Sequence, residues 1–269
     1  MAVSNVPEIH KSQECALSLV WTDAWVGFIS WQKEKAKKGE AMNIKIQITD
    51  DHNVSIVTDQ KRNRPAPKSV LRKTRIGFHE IRYAQVGDYF MTEMKNGDTV
   101  RFDCVYCDDN IVRFDSNDCV LKSCWNKTDT NEGGYVDSEL KRVVDNYTEL
   151  LPDELQDMIV NTVRRCNNGD DVTEFKTKLF VPDEGELFDD DGIYNKRIYE
   201  QLDYFKDRRN RMKGAAFGED TVWYWTASAY SGASTDCVLV SYDGSSYIAN
   251  ASDALHVPVC FQINRAKHG

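Results

Sequence analysis

Apolar and polar residues alternate over residues 43–49 and again over 54–58, with turn-forming residues at 50–53 between them, a pattern that predicts a β-hairpin. Ahead of it lies an apolar stretch, 16–31, containing Trp21, Trp25 and Trp31, followed by a Lys-rich run at 33–39. Residues 62–68 carry two prolines and basic side chains without periodicity, which reads as a linker. Residues 1–70 are therefore expected to form a small β-containing module for attachment or oligomerisation, and residues 71–269 a second domain.

In that second domain, 86–90, 100–106 and 111–114 read as strands, joined by turns at Asn96-Gly97 and 108–110. Helical spacing then takes over. Leu140, Val143, Val144, Tyr147 and Leu151 form one stripe behind an Asp137 or Ser138 N-cap. Leu155, Met158, Ile159 and Val163 form a second stripe, beginning at Pro152 and ending at Asn167-Asn168-Gly169. Strands are expected again at 178–181, 223–225, 238–240 and 257–263, the last two flanking long loops. Strands, then two helices, then strands with long C-terminal loops indicate an α+β domain. Loops of that length in a domain of this size are usually functional.

The 34 Lys and Arg against 43 Asp and Glu give a net charge of −9, which argues against nucleic-acid binding. No uninterrupted apolar run of the length a membrane helix needs occurs, since Thr22 and Asp23 break 16–31, so membrane insertion is not expected. That stretch also lacks a basic leader, and the chain is read as made without a secretion signal. Reduced thiols are then expected for the eight cysteines. Cys104-x-x-Cys107 and Cys119-x4-Cys124 have spacings that thiolate zinc sites use. Strand alternation, however, sends Cys104 and Cys107 to opposite faces, and no cofactor or metal is expected.

Two charged segments have a functional and a structural reading. The basic run 204–213 has phosphate-binding chemistry, but its Arg heads are expected to pair with carboxylates while Asp207 and Asn210 fix a turn. Asp189-Asp190-Asp191-Gly192 suggests calcium, yet it lacks the full loop pattern and reads as a solvated turn. No paired-histidine motif, nucleophile elbow or phosphate-cradling glycine loop is present, so no catalytic residues are assigned.

Residues 227–261 stand apart in vocabulary. They contain no Lys, Arg, Glu, Gln, Met or Trp, although Lys, Arg and Glu are abundant upstream. Ser, Gly, Asn and Thr with interspersed Tyr are the chemistry of antibody-like contact surfaces.

Several motifs in order resemble a known family: Trp125-Asn126, Thr130-Asn131-Glu132-Gly133-Gly134, Lys178-Leu179-Phe180, Tyr204-Phe205-Lys206-Asp207-Arg208-Arg209-Asn210-Arg211, and Trp223-Tyr224-Trp225-Thr226-Ala227-Ser228, with a closing Asn250-Ala251-Ser252, Val257 and Phe261. The stretch 76–265 resembles the C-type-lectin-fold (formylglycine-generating-enzyme-type) variable proteins of diversity-generating retroelements. It departs from them in having Ala227 before the Ser and Pro258 directly after Val257. In that family a reverse transcriptase copies a template repeat with errors at adenines. AAY codons then yield the residue types seen in 227–261 and never Lys, Glu, Gln, Met or Trp. The resemblance implies a non-enzymatic, hypervariable ligand-binding domain. Its contacts would be Tyr230, Ser231, Ser234, Thr235, Asp236, Ser241, Tyr242, Ser246, Tyr247, Asn250, Asp253 and Leu255, with Trp223, Trp225, Cys237 and Phe261 as scaffold. The partner would be a protein or glycan on a host cell surface, and the protein a virion component, a homo-oligomer or cytoplasmic in the producing cell. The alternatives are an enzyme of the formylglycine-generating fold, a calcium-dependent carbohydrate-binding lectin, and an assembly protein in which the tail is an ordinary Ser/Gly-rich set of surface loops.

Overall fold

The computed structural model describes residues 43–48, 54–59, 73–168, 171–215 and 220–266; the Trp-rich segment 16–31, the turn 50–53 and the linker 62–68 lie outside the described residues. The chain divides into two units, Met1–Ala66 and Pro67–Gly269. In the first, β1 (Asn43–Ile48) and β2 (Val54–Asp59) pair antiparallel, with Ile44 opposite Thr58 and Ile48 opposite Val54.

The second unit begins with β3 (Thr74–Arg75), β4 (Asp88–Glu93), β5 (Thr99–Cys107), β6 (Ile111–Ser116) and β7 (Leu121–Ser123). Helices α1 (Glu139–Asn146) and α2 (Asp153–Met158) follow, then β8 (Thr162–Asn168), β9 (Asp171–Thr177) and β10 (Leu179–Phe180). Two single-turn helices, α3 (Glu184–Leu187) and α4 (Asp203–Lys206), precede β11 (Tyr224–Ala229) and β12 (Asp236–Val240). The chain closes with β13 (Ser246–Asn250), β14 (Leu255–Val257) and β15 (Cys260–Asn264). The fold is a mixed α+β one, dominated by a six-stranded sheet ordered β10-β15-β6-β5-β4-β3 and a five-stranded sheet ordered β13-β12-β11-β14-β7.

The main core forms where the first sheet meets α1 and one face of the second sheet. Phe90, Phe102, Phe114 and Phe261 pack ring to ring at 5.0–5.7 Å, next to buried Trp125, Tyr135, Leu140, Val144, Trp225 and Leu239. Each such aromatic pair adds about 0.5–1.5 kcal/mol beyond its buried area. A smaller core, with Leu187, Phe205, Tyr224 and Val240, covers the opposite face of β11 and β12. Those two strands are therefore buried on both sides, which is why they read as apolar runs rather than alternations.

Four expectations are corrected. The strand expected at 86–90 starts at Asp88, because Gly87 takes φ +96° in the turn that closes through the Asp88 N–H to the Gln85 carbonyl. The second helix stops at Met158. Ile159 bridges to Ile263, and the β-branched Thr162, Val163, Val172 and Thr173 belong to the β8–β9 hairpin, where exposed Val163 and Arg165 alternate with buried Arg164 and Cys166. The strand expected over 257–263 is two strands in different sheets, with Pro258 between them where no ladder N–H is needed. The long C-terminal loops are short, because β13 occupies 246–250 and pairs with β12 from Asp236–Asn250 to Val240–Ser246.

Candidate functional site

The segment after β11 is tied down almost entirely through its backbone. The side-chain amide of Asn131 donates to the carbonyls of Tyr230, Ala233 and Asp236 at 2.8–3.0 Å, and its backbone N–H donates to Ser234 O at 2.7 Å. The Ala251 N–H donates to Thr235 O, and the Ser231 N–H donates to Asn195 Oδ1, each at 2.8 Å. Ser231, Ser234 and Thr235 are exposed, and the one side-chain bond between residues of the loop joins the Thr235 hydroxyl to Asp236. The shape of the loop thus depends on its backbone and on Asn131 and Asn195, and little on its own side chains.

An aromatic strip runs from this loop along the edge strand β13. The Tyr230 ring meets Tyr194 edge-on at 5.6 Å, and the Tyr247 ring lies 5.7 Å from Trp223. Tyr194 links the two pairs: its phenol lies near Ser246 and within electrostatic reach of Tyr247 and Tyr230. Burial first, then the neighbouring phenols, raises its pKa. Tyr247 is 53% exposed, Tyr194 38% and Trp223 37%, high values for large rings. Trp223 is therefore surface rather than scaffold, whereas Trp225, Cys237 and Phe261 are fully buried as expected of scaffold.

A buried polar network anchors the Tyr194–Asn195 segment. Glu184 accepts from the Tyr194 N–H at 2.8 Å and from the Asn195 side-chain amide. The Glu184 N–H donates to Ser228 Oγ at 3.1 Å, and the Ser228 hydroxyl donates to Asp183 Oδ2 at 2.9 Å. Burial, with the nearby Glu186 charge, pushes the Asp183 carboxyl up to about 7. Burial would raise Glu186 too, but Arg113 at 2.5 Å and Arg164 at 2.7 Å hold it below the usual carboxylate range. Both guanidiniums also lie over the Phe180 ring, at 5.0 and 4.3 Å.

Against this geometry the expected contact residues separate into groups. Tyr230, Ser231, Ser234 and Thr235 share the pinned loop, and half-buried Asp236 lies opposite Asn250 at the same end of the strands. Asn250 turns its Oδ1 onto the Ser252 N–H and hydroxyl, while Asp253 is exposed beside it. Ser246 and Tyr247 belong to the strip. Leu255 is half-buried and packs on the main core opposite Ser123. Ser241 and Tyr242 lie past the far end of β12, away from Tyr230. Ser241 is buried, with its hydroxyl on Asp243 at 2.5 Å, and Arg208 holds the same carboxylate, so this is a structural turn with exposed Tyr242 on it. Tyr194 carried no signal in the sequence, since it sits in an irregular acidic stretch. Asn131 was visible only as one position of the 130–134 motif that carries the family resemblance.

The model of one family of domains, described as a domain of unknown function (DUF6273), matches residues 109–265, more than half of the 269-residue chain. The chain belongs to the DUF6273 family. No curated protein and no solved structure matches it significantly. The DUF6273 match takes in the pinned loop, the strip and Asn131, and leaves out β1 to β5.

Within and beside the DUF6273 region, Cys104 and Cys107 do not face opposite ways as expected, because an irregularity between Cys104 and Tyr106 leaves both on the main core. The two pairs of the zinc spacing are still not gathered, since Cys119 lies in the smaller core. Burial pushes the Cys166 thiol up to about 11 and raises Cys104, Cys119, Cys237 and Cys260 further, the reverse of what a nucleophilic thiolate needs. The acidic triplet forms an exposed turn in which Asp190 pairs with Arg197 at 2.9 Å. Among the described residues no three His, Cys, Asp or Glu side chains are placed to hold a metal ion, and no helix is long and apolar enough to cross a membrane. In the basic run Arg208 and Arg209 pair with Asp243 and Asp207, and Asn210 donates to the Tyr204 carbonyl at 2.7 Å.

Proposed function

We propose that the C-terminal domain is a ligand-binding module without catalytic activity, built on a C-type-lectin-like scaffold, whose contact side chains are diversified by adenine-directed codon change. The observation that carries this reading is the loop at 230–236, whose backbone is held by hydrogen bonds from Asn131 and Ala251 and by one from the Ser231 N–H to Asn195, with its own side chains left free to differ. A combining site that must accept many side chains without refolding needs that arrangement. The vocabulary of residues 227–261, lacking Lys, Glu, Gln, Met and Trp, supports the same reading. Tyr230 and Tyr247 act as aromatic anchors, with Tyr194 and Trp223 as neighbours from outside the diversified stretch. Rigid aromatic area flanked by small polar side chains suits a protein or glycan ligand. On this reading the protein is displayed on a virion or other assembly, with the N-terminal module mounting the domain, and the raised thiols argue against the formylglycine-generating alternative.

Two measurements test it. Sequencing of the gene's surroundings should reveal a near-identical repeat of the 3′ end that differs only at adenines, beside a reverse-transcriptase gene. Absence of the repeat removes the diversification. Binding of the full chain to immobilised bacterial surface proteins and glycans, with and without the double change Tyr230→Ala/Tyr247→Ala, tests the surface. Aromatic anchors buried on binding are worth about 2 kcal/mol or more each, about thirtyfold apiece, so the double variant should bind roughly a thousandfold more weakly. Equal binding by both proteins removes the strip from the contact surface.

A further inference from the structure

A second, separate feature of the C-terminal unit lies beneath β5 and β6. A cavity of about 100 Å³ is lined by Lys73, Asp103, Asp115, Asn117, Tyr204 and Lys213, among others. None of these belongs to the pinned loop or the aromatic strip, so the feature stands independently of the binding surface proposed above.

The charges around the cavity do not cancel. Asp103 is matched by Lys73 at 2.9 Å and Arg101 at 2.6 Å, and it also accepts the Tyr204 hydroxyl at 2.6 Å. Those cations hold its carboxyl below the usual range although burial would raise it. Asp115 is held in a two-pronged grip by Arg113, at 2.8 and 3.1 Å. Both carboxylates are thus already paired. Arg209, which also lines the cavity, is paired with Asp207 at 2.6 Å.

Lys213 is different. It is 4% exposed and donates to the Ser116 carbonyl, and among the described residues no carboxylate lies within ion-pair distance of it. An ammonium has three donors, so with one on that carbonyl and the Tyr224 ring 6.0 Å from Nζ, donor capacity remains for whatever occupies the cavity. Half-buried Asn117 lines the same space, and its side-chain amide has no hydrogen-bond partner among the described residues. A buried cation without a counter-charge is costly, and an anion in reach offsets that cost. The space corresponds to the share of about three waters in the liquid, enough for a small oxyanion group.

We propose that this cavity binds a small oxyanion, the phosphate or carboxylate group of a polar small molecule, with Lys213 as its counter-charge and Asn117 as a second donor. The site is built from side chains of β5, β6, the residue that follows β6 and the 204–213 segment, all outside the loop at 230–236, so it recognises one chemistry whatever that loop carries.

Calorimetric titration of the full chain with inorganic phosphate and with acetate, at constant ionic strength maintained with chloride, tests the proposal. Saturable one-to-one binding of either anion is expected, with a matching concentration-dependent rise in Tm. Preference for phosphate marks a phosphate-bearing ligand and preference for acetate a carboxylate-bearing one. Lys213→Met should weaken binding at least tenfold. Because burial makes Lys213→Met a risk to folding, Asn117→Asp supplies the second variant: it places a negative charge in the cavity from a half-exposed position and should weaken binding to a similar degree. No binding of either anion at millimolar concentration overturns the proposal, as does equal binding by the folded Asn117→Asp protein.

Discussion

The Asn131 side-chain amide donates to the Tyr230 carbonyl at 3.0 Å across 99 residues of chain. The same nitrogen reaches the carbonyls of Ala233 and Asp236, so one 7%-exposed side chain replaces the sheet partners that the loop lacks. Leaving such buried groups unpaired costs about 1–3 kcal/mol. Asn131→Ala should lower stability by that amount and, more specifically, speed amide exchange at 230–236 while β5 and β6 keep their protection. Uniform loss of protection across the domain would mean that Asn131 supports the fold as a whole rather than the loop.

Trp223 and Trp225 are two residues apart and have opposite fates. Trp225 is fully buried and donates its indole N–H to the Ser123 carbonyl at 3.1 Å, whereas Trp223 is 37% exposed against Tyr247. Truncating a buried Trp costs about 3–5 kcal/mol, while losing a surface aromatic pair costs about 0.5–1.5 kcal/mol. Denaturant unfolding of Trp223→Ala and Trp225→Ala should separate by that margin. Similar losses in both would place Trp223 in the scaffold.

Asp183 supplies a pH prediction. Its ordinary value is 3.8 and the folded protein raises it to about 7, chiefly through burial. Between those values the folded protein holds a proton that the unfolded chain has released, so stability falls as pH rises through the window and levels off above about 7. Asp183→Asn keeps an acceptor for the Gly185 N–H, bonded at 2.9 Å, and removes the titration. Thermal unfolding from pH 5 to pH 8 should show Tm falling more steeply for the natural protein than for the variant. Parallel profiles would place the proton elsewhere, in Glu184 for example, which burial also raises.

Much of this architecture is legible in the chain because local chemistry and tertiary packing agree. The β1–β2 hairpin, the Ser138 cap that accepts from the Lys141 N–H at 3.0 Å, and the turn in which Asp108 Oδ1 accepts from the Asn110 and Ile111 N–H groups all follow from short-range rules. Where they conflict, the pattern misleads. Leu155, Met158, Ile159 and Val163 keep helical spacing, yet Ile159 is drawn into a bridge with Ile263 from the far end of the chain. The Ser- and Tyr-rich tail reads as loop because β12 and β13 are short and one of them is an edge strand, with Tyr247 turned to the surface. The site was half visible: the Ser- and Tyr-rich vocabulary marks Tyr230 and Tyr247, whereas Tyr194 and Asn195, which meet the Tyr230 ring and the Ser231 N–H, are set in place by the buried carboxylate of Glu184.

The last prediction concerns which positions the proposed diversification would leave alone. Gly244 takes φ +81°, and a Cβ there would meet the Arg208 carbonyl oxygen at 2.7 Å, a backbone atom that cannot swing aside. The turn it closes is fastened by Arg208 to Asp243 and by the Arg211 Nε–H to the Gly244 carbonyl at 2.9 Å. Any other residue at 244 is strained in conformation and clashes as well. Cys237, Val238, Leu239 and Val240 are fully buried between the two cores, so a polar residue there exchanges packing for an unpaired group. Deep sequencing of gene copies from one population should therefore show changes at Tyr230, Ser231, Ser234, Thr235 and Tyr247, with Gly244 and 237–240 constant. Changes at Gly244 as frequent as those at Ser231 would separate the variable vocabulary from the scaffold that is proposed to display it.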